Sequence, residues 1–159
     1  MLKENIKIEE DGITHINCYS KGRTDLGRML SNFSLSHFKI SDGEFYSIEG
    51  YWYWLLAYDH PDRDELKDLY GWRAKQFGKT IIDKDYPTEE EFYRIFKSKI
   101  RVALEAKLNQ NAVLKTAFIN SNLPLAHYYT YSTKVVCDGK SDWVWEHYET
   151  LREKLNGRS

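Results

Sequence analysis

Cysteine and proline are scarce in this 159-residue chain, which has two of one and three of the other. Cys18 and Cys137 cannot frame a disulfide scaffold, and their rarity points to a reducing, cytoplasmic setting. So few prolines, with apolar residues spread along the whole chain, argue against disorder. No hydrophobic run approaches the roughly 20 residues of a membrane span. The longest, Tyr51 to Tyr58, is far shorter, and the opening Met1-Leu2-Lys3-Glu4-Asn5 lacks a signal-peptide core, so no membrane contact is expected. Neither sign of charge is in excess: 23 Lys+Arg face 24 Asp+Glu, for a net −1. That balance excludes a polycation that coats nucleic acid but leaves room for a local basic groove.

Several signatures are also missing. His15, His37, His60, His127 and His147 form no H-x-x-x-H or H-E-x-x-H pattern, and neither cysteine has a CxxC partner, so no metal site is expected. Without GxxxxGK[ST] or GxGxxG there is no support for a P-loop or a dinucleotide cofactor. Without GxSxG there is no esterase elbow. Cys18 reads most simply as a buried strand residue.

Aromatics are what the chain has in quantity: 12 Tyr, 7 Phe and 5 Trp. Tyr and Trp pair an apolar face with a polar handle, which suits a core and equally suits a site that stacks on a base. The first third reads as short strands and loops. Ile13 to Tyr19 is an expected strand, followed by a polar loop with Gly22 and Gly27. Asp42-Gly43 between Phe38–Ile40 and Glu44–Tyr46 is a hairpin signal. The period then becomes helical. One helix is expected over Glu49 to Asp59. A second opens at an Asp62–Glu65 capping box, buries Leu66, Leu69, Tyr70 and Phe77, and stops at Gly78. A third is capped by Thr88 with Glu91, runs to about Asn109, and buries Phe92, Phe96, Ile100, Ala103 and Leu104. Asn111 opens a short helix through Leu114 and Phe118. Ser141 opens the last helix, with Val144, Tyr148, Leu151 and Leu155 inward. Roughly five helices and three or four strands, segregated along the chain, predict an α+β class. We expect a single helix-rich domain over residues 1–159, its core at about 13–155, with a small N-terminal sheet or hairpin.

Glu49 stands where the hairpin gives way to the first helix. The helix dipole alone would favour an acid there. Yet Trp52, Tyr53 and Leu56 follow three, four and seven residues later on the same face. A carboxylate on an inward aromatic stripe is costly to bury without partners or chemical work.

The ordered motifs Asn17-x-Tyr19-Ser20, Leu30-Ser31-Asn32-Phe33, Asp42-Gly43-x-x-Tyr46-Ser47-x-Glu49-Gly50-Tyr51, Ala74-Lys75-x-x-Gly78-Lys79 and Ala103-Leu104-x-Ala106-Lys107-Leu108 resemble the NADAR superfamily over about residues 13 to 155. The resemblance implies a compact, helix-rich α+β fold and an N-glycosidase acting on compounds related to NAD or ADP-ribose. Such proteins strip ADP-ribose from guanine in nucleic acid, reversing DarT-type toxins as antitoxin or phage counter-defence, or cleave riboflavin-pathway ribosyl phosphates. We expect the first activity, with ADP-ribosylated guanine in DNA as partner and ADP-ribose as product. A splayed or single-stranded guanine is the easier target for so weakly charged a protein. The alternatives are the riboflavin-pathway enzyme and a non-catalytic ADP-ribose-binding module.

Two departures from the family pattern stand out. Leu56 occupies the position of a family lysine, leaving Lys75, Lys79 and Lys134 as candidate amines. The family's Trp-Gly-Asp-Gly stretch is reduced to Val136-Cys137-Asp138-Gly139, while Phe92 keeps an aromatic where a tryptophan is expected. The resemblance implies Glu49 as catalytic carboxylate, with Asp138 a candidate for the second. A turn role for Asp138 is equally open, since Asp-Gly is common in turns. Asn32 is a candidate for the ribose or base edge, with a local loop bond as the alternative. Phe33, Tyr46 and Trp52 are candidates for a stacking wall, with core packing equally open. Ser31 and Phe92 are further substrate-binding candidates. Lys75, Gly78 and Lys79 are candidates for the diphosphate, and His127 for the pocket lining.

Overall fold

The computed structural model describes residues 1–157 and divides them into two units, residues 1–31 together with 112 onward, and residues 32–111.

The first unit is organised around a pairing of its two chain segments. Strand β1 (Ile16–Asn17) lies parallel to β4 (Leu125–Ala126), with Ile16 opposite Leu125. The side chain of Asn17 extends this ladder by imitating a peptide group: its Nδ2 donates to Tyr128 O (3.1 Å), and its Oδ1 accepts from Tyr128 N (3.0 Å). Helices α1 (Asp25–Leu30), α5 (Ala112–Asn120) and α6 (Asp142–Leu155) pack as a chain, α5 touching both others. Leu30, Leu114, Phe118, Val144 and Tyr148 are buried there. A second hairpin, β5 (Tyr129–Tyr131) with β6 (Lys134–Val136), completes the unit.

In the second unit, hairpin β2 (Phe38–Ile40) and β3 (Gly43–Phe45) turns where Asp42-Gly43 predicts, Gly43 taking a φ of +131° that a side chain would resist. Helix α2 (Ile48–Leu56) is apolar nearly all round and therefore central. It packs on β3, on a 3-10 segment (Arg63–Asp68), on α3 (Gly71–Ile81) and on α4 (Glu90–Asn109). Phe96, Ile100, Ala103 and Leu104 form the buried stripe expected of α4. Short two-stranded sheets beside helices make the chain α+β, as predicted.

Local expectations fail where tertiary contacts override them. The strand over Ile13 to Tyr19 shrinks to two residues, because Gly12 N donates to His15 O and leaves Ile13 in an exposed turn. The loop with Gly27 contains helix α1, whose start Thr24 caps by accepting from Gly27 N at 2.9 Å. The helix beginning at α2 ends at Leu56 rather than Asp59. Asp62 makes no side-chain cap and the segment after it is 3-10. The α-helix begins at Gly71, whose positive φ (+58°) and bond to Phe33 O (3.0 Å) turn the chain there. Gly78 lies inside α3 and does not end it. The Thr88–Glu91 box does not form, since α4 starts one residue later and places Glu89 at the cap. Cys18 is buried, Cys137 is exposed, and neither is in a disulfide.

Candidate active site

Glu49 is the second residue of α2. Ser47 anchors the start of that helix twice, accepting from Gly50 N and donating to Leu69 O, both at 2.9 Å. Glu49 N donates to Asn32 O at 2.9 Å, which ties Asn32 to the first turn of the helix. Asn32 Oδ1 is buried without a hydrogen-bond partner in the protein. A buried amide oxygen left this way is costly unless a ligand supplies a donor.

Burial pushes the Glu49 carboxyl up to about 7, the charge of Asp85 adding to the rise and the ammonium groups of Lys75 and then Lys79 opposing it. The side chain remains partly open to solvent. A carboxyl poised near neutrality can take a proton from water and give one back.

Asp85 organises the surroundings. Its backbone O accepts from Trp52 Nε1 (3.0 Å), its Oδ1 accepts from the Tyr53 hydroxyl (3.3 Å), and its Oδ2 pairs with Lys79 Nζ (3.7 Å). Burial, then Glu49 and Asp85, push the Tyr53 phenol far up, so it stays a donor. Tyr53 packs on Gly78: a Cβ there would stand 2.7 Å from Tyr53 Cβ and closer still to two ring carbons. Glycine thus lets α3 approach α2 and bring Lys75 and Lys79 toward Glu49.

The structure therefore gathers Glu49, Asn32, Trp52, Lys75, Gly78 and Lys79 within one unit. Trp52 and Gly78 serve there as packing, Trp52 lying edge-on against Phe96 (4.7 Å) and Tyr86 (5.5 Å). Phe33 follows Asn32, and its carbonyl accepts from Gly71 N. Tyr46 is exposed beside His37, their rings 5.0 Å apart. Phe92 lines a different cleft of about 320 Å³, with Tyr58, Leu55, Ile95 and Arg63, whose walls do not include Glu49.

Ser31, His127 and Asp138 belong to the other unit. Ser31 is buried at the end of α1. His127 stacks on Trp145 (3.8 Å between centroids, 19°) and donates from Nδ1 to Cys18 O at 2.8 Å. Burial lowers its pKa, so the ring is neutral and presents Nε2 as an acceptor. Asp138 is exposed, and its Oδ1 accepts from Lys140 N (3.0 Å) in the turn that Gly139 completes. Lys134 is exposed on β6, which leaves Lys75 and Lys79 as the amines in the field of Glu49.

Sequence reasoning missed Asp85 as a site residue. Tyr53 was visible as the residue one turn beyond Glu49, but nothing local marks an aspartate in the loop after α3. Among the described residues, no group of three or more His, Cys, Asp or Glu side chains is arranged to hold a metal ion, and no helix is long and apolar enough to cross a membrane.

No protein-family model and no curated protein matches the chain. Among solved structures, the NMR structure of the Escherichia coli protein YbiA matches with a TM-score of 0.66 at 22% sequence identity, over 95% of this chain and 94% of that one. The fold expected from the family resemblance is the fold found: the chain is an α+β protein with the architecture of YbiA.

Proposed function

We propose that this protein is an N-glycosidase that hydrolyses the bond between ADP-ribose and guanine in ADP-ribosylated DNA, reversing a DarT-type modification. The observation that carries the reading is the Glu49 carboxyl, partly buried, its pKa raised to about 7 against the charges of two lysines, on a residue whose N–H binds Asn32, the residue with a buried, unpartnered amide oxygen. In the reaction the bond between the anomeric carbon and the guanine nitrogen breaks, and its electron pair leaves with the base. The sugar becomes oxocarbenium-like, and ionised Glu49 stabilises that positive charge. Water then adds to the anomeric carbon, its proton passes to Glu49, and the proton is returned to the departed guanine. Lys75 and Lys79 supply charge for the diphosphate. Asn32 Oδ1 accepts from a ribose hydroxyl, which satisfies an atom the protein leaves bare.

The test is incubation of the protein with DNA carrying ADP-ribosylated guanine and, separately, with an aminopyrimidine ribosyl phosphate. Release of ADP-ribose from the first supports the proposal. Cleavage of the second alone assigns the riboflavin-pathway reaction. Binding of ADP-ribose with turnover of neither leaves a non-catalytic module. In the same assay Asp138→Asn is expected to stay within a few-fold of the unmodified protein, because that carboxylate is exposed and engaged in a turn. A drop as deep as that from losing Glu49 would make Asp138 the second catalytic carboxylate.

A further inference from the structure

We infer that Trp72 is a stacking platform for an unpaired base flanking the modified guanine, so that the protein grips a DNA strand and not only the modified nucleotide. This deepens the functional reading above and rests on it for the role of the neighbouring site. Of the five tryptophans Trp72 alone is exposed, at 59% of its surface, although an indole is ordinarily among the more buried side chains. Lys75 stands over it, with Nζ 5.6 Å from the ring centroid.

Trp72, Lys75 and Lys79 follow one another along α3 at helical spacing, a stripe about 10 Å long. Helix α3 packs on α2, the helix that carries Glu49, with Gly78 against Tyr53, so the stripe lies on an element adjoining the candidate catalytic group. Arg73 is also exposed, and α3 carries no acid from Gly71 to Ile81. An open aromatic face beside cations is what an unpaired strand requires: the ring takes a base and the cations take phosphates. A duplex keeps its base faces stacked and has no use for the indole. Helix α3 carries three cations and no acid, while the whole chain sums to −1, so the rest of the chain sums to −4 and offers a strand no net attraction.

The experiment is an anisotropy titration of a short, unmodified, labelled single-stranded DNA, and of its duplex, with the unaltered protein, Trp72→Phe and Trp72→Ala. Single-strand binding is expected to weaken on the order of tenfold in Trp72→Ala and to persist in Trp72→Phe, which keeps an aromatic face. Duplex binding is expected to be weaker throughout and indifferent to the substitution. Melting temperature should not move, because the side chain is exposed. Trp72→Ala should also lower kcat/KM on a modified strand by a similar factor while sparing hydrolysis of ADP-ribosylated guanosine alone. Equal single-strand affinity in Trp72→Ala, or no preference of the unaltered protein for single strands, overturns the inference. Trp72-dependent strand binding with no release of ADP-ribose overturns the catalytic reading of Glu49 instead and leaves the platform standing.

Discussion

Glu49→Gln is expected to lower turnover on ADP-ribosylated DNA by on the order of a hundredfold or more, the usual loss when a catalytic acid–base group is removed. The swap is nearly isosteric, so binding of ADP-ribose and the fold should survive. Activity of the unaltered protein should rise with pH through about 7, as the carboxyl ionises to the form that accepts the proton of water. The variant's residual activity should lack that limb.

The same residue predicts an opposite effect on stability. Its folded pKa lies above the ordinary 4.5, so the native state holds this proton more tightly than the unfolded chain. Glu49 therefore makes stability fall as pH rises from about 4.5 to about 7, after which the loss is complete. Glutamine cannot ionise, and Glu49→Gln should melt higher than the unaltered protein above pH 7. The gain is bounded at about 3 kcal/mol and reduced by the remaining solvent exposure of the side chain. Thermal melts at pH 5 and pH 8 read the sign directly. A variant that turns over normally, or that is no more stable at pH 8 than its parent, would remove Glu49 from the centre of the mechanism.

Gly78→Ala should be severely damaging. At an open helical position alanine would gain about 1 kcal/mol over glycine. Here its methyl overlaps Tyr53 at Cβ and at the root of the ring, atoms that cannot swing aside. Overpacking of this kind costs about 3 kcal/mol. Separating α3 from α2 also withdraws Lys75 and Lys79 from Glu49 and disturbs the bond from Tyr53 to Asp85. We therefore expect a large loss of stability together with a loss of turnover, measured by denaturant unfolding and by the glycosidase assay. If Gly78 instead serves as a backbone contact to the diphosphate, activity falls while stability is kept or improved. That outcome would refute the packing role.

Much of this molecule was legible from short-range rules. The Asp42-Gly43 hairpin, the buried stripe of α4 and the inward face of α6 at Val144, Tyr148 and Leu151 follow from turn chemistry and helical period, which act within a few residues. Glu49 was legible too, as an acid on the aromatic face of a helix start. The hairpin at Tyr129–Val136 was not, because its strands are three residues each and none is buried, so they show no alternation. Gly78 was misread as a stop because a glycine near a helix end and a glycine under an aromatic ring look alike in one dimension. What tertiary structure alone decided is the pairing of Ile16 with Leu125, the placing of Asp85 between Tyr53 and Lys79, and the field of Lys75 and Lys79 on Glu49. Sequence spacing carries local periodicity. The pKa of a carboxyl depends on burial and on charges brought from other elements, and only packing sets those.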